Sequence, residues 1–148
     1  MVKIAYQIDI EKLRPLGEMW FREHRARKYG IDVSVDDILT EGKAWMEMED
    51  AAVIVAVDGD EPVGFLALFA TDSFLGKQKL AVEKYWYCTK GIAIRMLTNE
   101  AKKWAKEHGC SHLLMVASHI AGNKYRKVID LYHHLGLKLF ETTFICEV

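Results

Sequence analysis

Residues 88–93, Cys-Thr-Lys-Gly-Ile-Ala, join the aromatic stretch Tyr85-Trp86-Tyr87 to a long charged segment with helical periodicity. A helix start carries up to four N–H groups without partners and a partial positive charge, so it attracts phosphates. Gly91 lets a ligand approach the backbone closely, and its small neighbours leave that approach clear. A plainer reading gives Gly91 the turn into the helix and nothing more. Three other residue types could move protons. Tyr132 falls in a helical stripe with Tyr125, Val128 and Leu135, which suits a core tyrosine as well as a phenol acid. Glu83, just upstream of the turn, and His119, after a later apolar run, are the candidates to take a proton from an amine. A solvated strand-end glutamate and an ordinary loop histidine are the alternatives.

Composition narrows the classes of function. The chain has 148 residues, 51% of them hydrophobic and 28% charged, with a formal net charge of −1. That length suits one domain, and the balance of charge gives no basic stripe for nucleic acid. Cys88, Cys110 and Cys146 are odd in number, far apart and without a Cys-x-x-Cys pair, so they read as reduced thiols of a cytoplasmic protein. His133–His134 are adjacent and so cannot converge on one ion from a helix, and no other ligand spacing suggests a metal. No apolar run has signal-peptide or membrane-span length.

These chemical groups need elements to hold them. A short strand opens the chain at residues 2–8. Asp9 caps a helix with Ile10, Leu13, Leu16, Trp20 and His24 on one side, and Ser34 caps another bearing Ile38, Leu39 and Trp45. The basic run 23–30 between them reads as a helix end and loop, solvated or bordering a site. Apolar runs 51–57 and 63–70 flank the turn Asp-Gly-Asp-Glu-Pro and predict a hairpin of buried strands. Residues 79–87 add a strand, 91–108 a helix stopped by Gly109, 112–117 a strand, and 123–136 a helix stopped by Gly136. A final strand or hairpin is expected over residues 137–148, able to pair across a homodimer if it forms a sheet edge. Trp20 and Trp104 fall on core faces, whereas Trp86 sits where it would line a site.

With this order of elements, two stretches resemble the GNAT family of N-acetyltransferases. That family binds acetyl-CoA through a Gln/Arg-x-x-Gly-x-Gly/Ala loop, which residues 88–93 follow from Gly91 onward, with Cys88 at the Gln/Arg position. Its second signature is matched by Leu131-Tyr132-His133-His134-Leu135-Gly136-Leu137. The resemblance implies a single α/β domain over residues 1–148, with a mixed, mostly antiparallel central sheet and helices on both faces. It implies acetyl-CoA as co-substrate, no metal, and a small-molecule or peptide amine as acceptor. By the same resemblance Leu80, Ala81 and Val82 would hold the pantetheine arm and thioester carbonyl. Cys88, Thr89, Lys90, Gly91, Ile92 and Ala93 would hold the diphosphate, and Asn123 and Tyr125 would complete the cofactor contacts. Tyr132 would protonate the leaving sulfur and Glu83 would accept the amine proton. A catalytically silent binding module on the same fold is the second reading, and an unrelated α/β domain the third.

Overall fold

A computed structural model describes all 148 residues. Five strands lie in sequence order: β1 (Val2–Ala5), β2 (Ala51–Asp58), β3 (Glu61–Asp72), β4 (Lys79–Cys88) and β5 (His112–Leu114). Successive pairs are antiparallel except β4–β5, which is parallel. That exception follows from the crossover between them, which contains α3 (Gly91–Glu107). Helices α1 (Arg14–Glu23) and α2 (Val35–Met46) precede the hairpin, and α4 (Tyr125–His134) follows β5.

The sheet is covered on both faces, and strand residues alternate between two cores. Ala52, Ile54, Ala56, Leu66 and Leu68 pack with Ala93, Leu97, Ala101 and Trp104 of α3. Val53, Val55, Phe65 and Ala67 pack with Leu13, Leu16 and Leu39 on the side of α1 and α2. Coverage on both faces is why residues 51–57 read as one unbroken apolar run rather than an alternating one.

Local chemistry sets the element ends. Ser34 and Asp37 form a reciprocal capping box at the start of α2. The end of α3 closes through Gly109 N–H to the Lys106 carbonyl and Cys110 N–H to the Ala105 carbonyl. The end of α4 repeats this, with Gly136 N–H on His133 and Leu137 N–H on Tyr132. Gly109 and Gly136 supply the left-handed residue that such endings require, at φ +74° and +82°.

Three expectations are corrected. Residues 115–117 leave the sheet, so β5 has three residues instead of six. The helix expected from 123 begins at Tyr125, after a 3-10 stretch over His119–Lys124. Residues 137–148 form no strand, although their pattern suits one: none of them pairs with the sheet, and Leu139, Phe140, Phe144 and Ile145 are exposed.

Candidate active site

The parallel ladder of β4 and β5 stops after three pairs, Leu80–His112, Ala81–Leu113 and Val82–Leu114. Beyond it the strands part. On the other side of β4, Lys84 is an extra residue, since Ala67 pairs with Tyr85 and Leu68 with Glu83. Such a bulge bends its strand and re-aims the side chains around it. Across the gap, side chains take over from the ladder. The Glu83 carboxylate accepts the Val116 N–H at 2.9 Å. The Tyr132 hydroxyl donates to the Val116 carbonyl at 2.8 Å and accepts the Trp86 indole N–H at 2.8 Å. Both backbone groups of Val116 are thereby satisfied without a strand partner.

These side chains are deeply placed: Glu83 is 4% exposed and Tyr132 7%. Burial lifts the Glu83 carboxyl to about 8, against the opposing pull of the Val116 N–H. The Tyr132 phenol is raised by burial first and by the Glu83 charge second, and the Trp86 N–H opposes this. Tyr132 therefore stays protonated through the neutral range, and Glu83 titrates just above it.

At the far end of β4 the chain enters α3. Lys90 stands at the N-cap without a side-chain cap. Of the loop amides, Thr89 N–H donates to the Val63 carbonyl at 2.9 Å and Ala93 N–H to the Lys90 carbonyl at 3.0 Å. The N–H groups of Lys90, Gly91 and Ile92 make no hydrogen bond within the protein. Nothing lies within 4 Å of where a Gly91 side chain would begin. Free amides, an open approach and a helix start fit a diphosphate. The Lys90 ammonium is paired with Asp58, which also takes the terminal amine.

A cavity of about 750 Å³ opens where the strands part. Its inner wall includes Glu83, Trp86, Tyr87, Cys88 and Val116; its outer wall includes Trp45, Met48, Asp50 and Phe69. Glu23 and His24, from the end of α1, close one side. His24 stacks on Trp20 at 4.1 Å, and burial lowers its pKa.

The expected site residues separate into groups. Glu83 and Tyr132 meet at Val116. Leu80, Ala81 and Val82 lie in the ladder between β3 and β5, Val82 also lines the cavity, and the backbone released by the split begins at Glu83. Thr89 and Ala93 turn their amides inward, and the open cradle narrows to Lys90, Gly91 and Ile92. Cys88 lines the cavity opposite Gly64, where any larger residue would meet its sulfur at 2.8 Å; burial pushes its thiol up to about 12. Asn123 is exposed, and Tyr125 stacks on His119 at 3.9 Å; none of these three lines the cavity. Trp86 does. Asp50, Phe69 and Val116 escaped the sequence reading, because each looks like an ordinary residue at the end of an element. No group of three or more His, Cys, Asp or Glu converges as metal ligands, and no helix is long and apolar enough to cross a membrane.

A mixed sheet whose parallel strands part beside an uncapped helix start defines the acyl-CoA N-acyltransferase class of fold. The family model for the acetyltransferase (GNAT) family matches residues 18–137, and the chain belongs to that family. Among solved structures, a transcriptional regulator from Bacillus halodurans C-125 is similar with TM-score 0.76 at 20% identity, covering 100% of both chains. AAC(6')-Iy, in complex with the bisubstrate analogue CoA-S-monomethyl-acetylneamine, is similar with TM-score 0.79 at 13% identity over 100% of this chain and 98% of that one. Glucosamine-6-phosphate N-acetyltransferase from Arabidopsis thaliana gives 0.71 at 12% identity over 99% and 98%. No curated protein matches the chain significantly.

Proposed function

We propose that this protein transfers an acetyl group from acetyl-CoA to a primary amine. The observation that carries the reading is the convergence of two open features on one strand. The split beside β4 sets a buried carboxyl in the cavity wall, and the same strand runs into three unbonded amides at the start of α3. Lys90, Gly91 and Ile92 would hold the diphosphate, and the unpaired backbone of β4 from Glu83 onward would take the pantetheine arm. Acetyl-CoA supplies an activated acyl carbon and a thiolate leaving group.

The acceptor nitrogen forms its bond to the acyl carbon as the carbon–sulfur bond breaks. Its surplus proton passes to Glu83, directly or through water, and the sulfur takes a proton from the Tyr132 hydroxyl. Tyr132 must first rotate its O–H away from the Val116 carbonyl, while the Trp86 N–H remains to steady the developing phenolate. A cytoplasmic setting accords with three free cysteines. Thermal-shift measurements with CoA and acetyl-CoA, followed by thiol release with DTNB across amines, test the reading. A melting curve unmoved by millimolar CoA would remove it, because a ligand of the native state must stabilise that state.

The second reading, a binding module without turnover, is favoured by Cys88 at the Gln/Arg position and by the hydrogen bond that already engages the Tyr132 proton. CoA binding without thiol release for any amine would select it. For either reading we propose a homodimer. Phe140, Thr142, Phe144, Cys146 and Val148 alternate with Glu141, Thr143, Ile145 and Glu147, which is a strand pattern left without a sheet. The outer edge of β5 has no partner, and Phe144 is 90% exposed. A tail docked on the edge of a second copy would cover both. Light scattering that finds only monomer at all concentrations would exclude this.

A further inference from the structure

We infer that the acceptor is a monoamine carried on an apolar, aromatic or branched-alkyl body, and that polycations are poor acceptors. This rests on the acetyltransferase reading and names its substrate class. The cavity of about 750 Å³ is much larger than an amine alone needs, and 14 of its 21 lining residues are hydrophobic. Its outer wall holds Trp45 against Phe69, edge to face at 5.6 Å, with Met48 beside them 48% exposed. Apolar surface left facing water at the mouth of a pocket is stabilised when an apolar ligand covers it.

The charges in the wall point the same way. Glu23 is neutralised by Lys124 at 2.8 Å and also accepts the Tyr87 hydroxyl at 2.9 Å. Lys84 pairs with Glu41 and lies over the Trp45 ring, 5.6 Å from its centre. Of the lining carboxylates, Asp50 alone makes no ion pair or side-chain hydrogen bond, and Glu83 is bound to Val116. Asp50 is tied to the site through its carbonyl, which accepts the Ala70 N–H at 2.7 Å, and Ala70 pairs with Ala81 next to the split. One free carboxylate beside an aromatic wall suits one ammonium on an apolar body. A polyamine or aminosugar would bring several charges to that single carboxylate and meet Lys84 and Lys124.

The test uses the full chain with 2-phenylethylamine, spermidine and kanamycin as probes. Calorimetry with CoA present reads binding, and DTNB reads turnover. Phenylethylamine is expected to exceed both polycations in kcat/KM by at least about ten-fold, a difference of the size one apolar contact surface supplies. Phe69→Ala should raise its KM by about ten-fold while leaving the CoA thermal shift in place, and Asp50→Asn, at an exposed position, should raise KM without touching the core. Equal or better use of spermidine or kanamycin overturns the inference, as does a KM unmoved in both variants. A normal CoA shift with either result leaves the acetyltransferase reading standing, whereas loss of the CoA shift in the native protein removes both.

Discussion

The two helix starts that follow loops on either side of the hairpin are built in opposite ways. At α2, Ser34 and Asp37 satisfy each other's backbone amides, and the first turn carries Asp36 and Asp37 against the helix dipole. At α3, Lys90 offers no acceptor, the first turn has no acid, and three N–H groups stay open. Both helices have finished C-terminal or N-terminal chemistry elsewhere, so the fold is able to cap and does not do so here. The same contrast runs through β4. Its first half is paired on both sides, and its second half is paired only with β3. The released half of β4 lines the cavity, and the open start of α3 follows it along the chain.

The largest effect is expected at Glu83. Glu83→Gln keeps an acceptor for the Val116 N–H but cannot take a proton, so the amine rate should fall by about 100-fold or more while the CoA thermal shift persists. In the native protein the base form appears as pH passes about 8, and the rate should rise through that value. Stability moves the other way. The folded carboxyl holds its proton up to about 8 and the unfolded one releases it near 4.5, so native stability is full below the lower value and is lost as pH rises through the upper. The melting advantage of Glu83→Gln should therefore grow across that interval. A flat difference between the two melting curves would mean that Glu83 does not titrate in the gap.

Tyr132→Phe comes next. It leaves the Val116 carbonyl and the Trp86 N–H without their partner, a loss of about 1–3 kcal/mol by urea unfolding. A slower rate with unchanged CoA binding would add the acid role to the structural one. An unchanged rate would restrict Tyr132 to holding the strands apart.

Much of this design is legible in the sequence because it follows from local periodicity. The hairpin, the capped start of α2 and the glycine stops of α3 and α4 are each written in a few neighbouring residues. The split is not. Whether Leu80–Val82 or the residues after them are released depends on where β5 ends, and a three-residue pairing leaves no periodic trace. Likewise Trp45, Asp50 and Phe69 share a wall only because α2, the loop after it and β3 converge there. The strand expected over residues 137–148 failed for a related reason: its alternation is present, but a strand also needs to be carried to an edge, and the tail does not pair with the open outer edge of β5.

At the closed start, Ser34→Ala should cost about 1 kcal/mol and leave the CoA shift intact, since this cap lies away from the cavity. Any loss of CoA binding there would undo the division into closed and open regions.

The smallest change is the sharpest test of the open start. Lys90 has the extended cap geometry, φ −122° and ψ 130°, close to that of Ser34 at −113° and 164°. A serine would sit there without strain and aim its oxygen at the first-turn amides. Lys90→Ser should then stabilise the unliganded protein by about 0.5–1 kcal/mol. It should also shrink the CoA thermal shift, because the new oxygen competes for the groups a diphosphate would use. Lys90→Ala removes the same ammonium and the same contact with Asp58 without adding an acceptor, so the difference between the two variants isolates the amides from the charge. Equal CoA shifts in Ser and Ala would show that the bare turn is not where the diphosphate rests; a smaller shift in Ser would show that leaving α3 uncapped exchanges a little helix stability for the ligand.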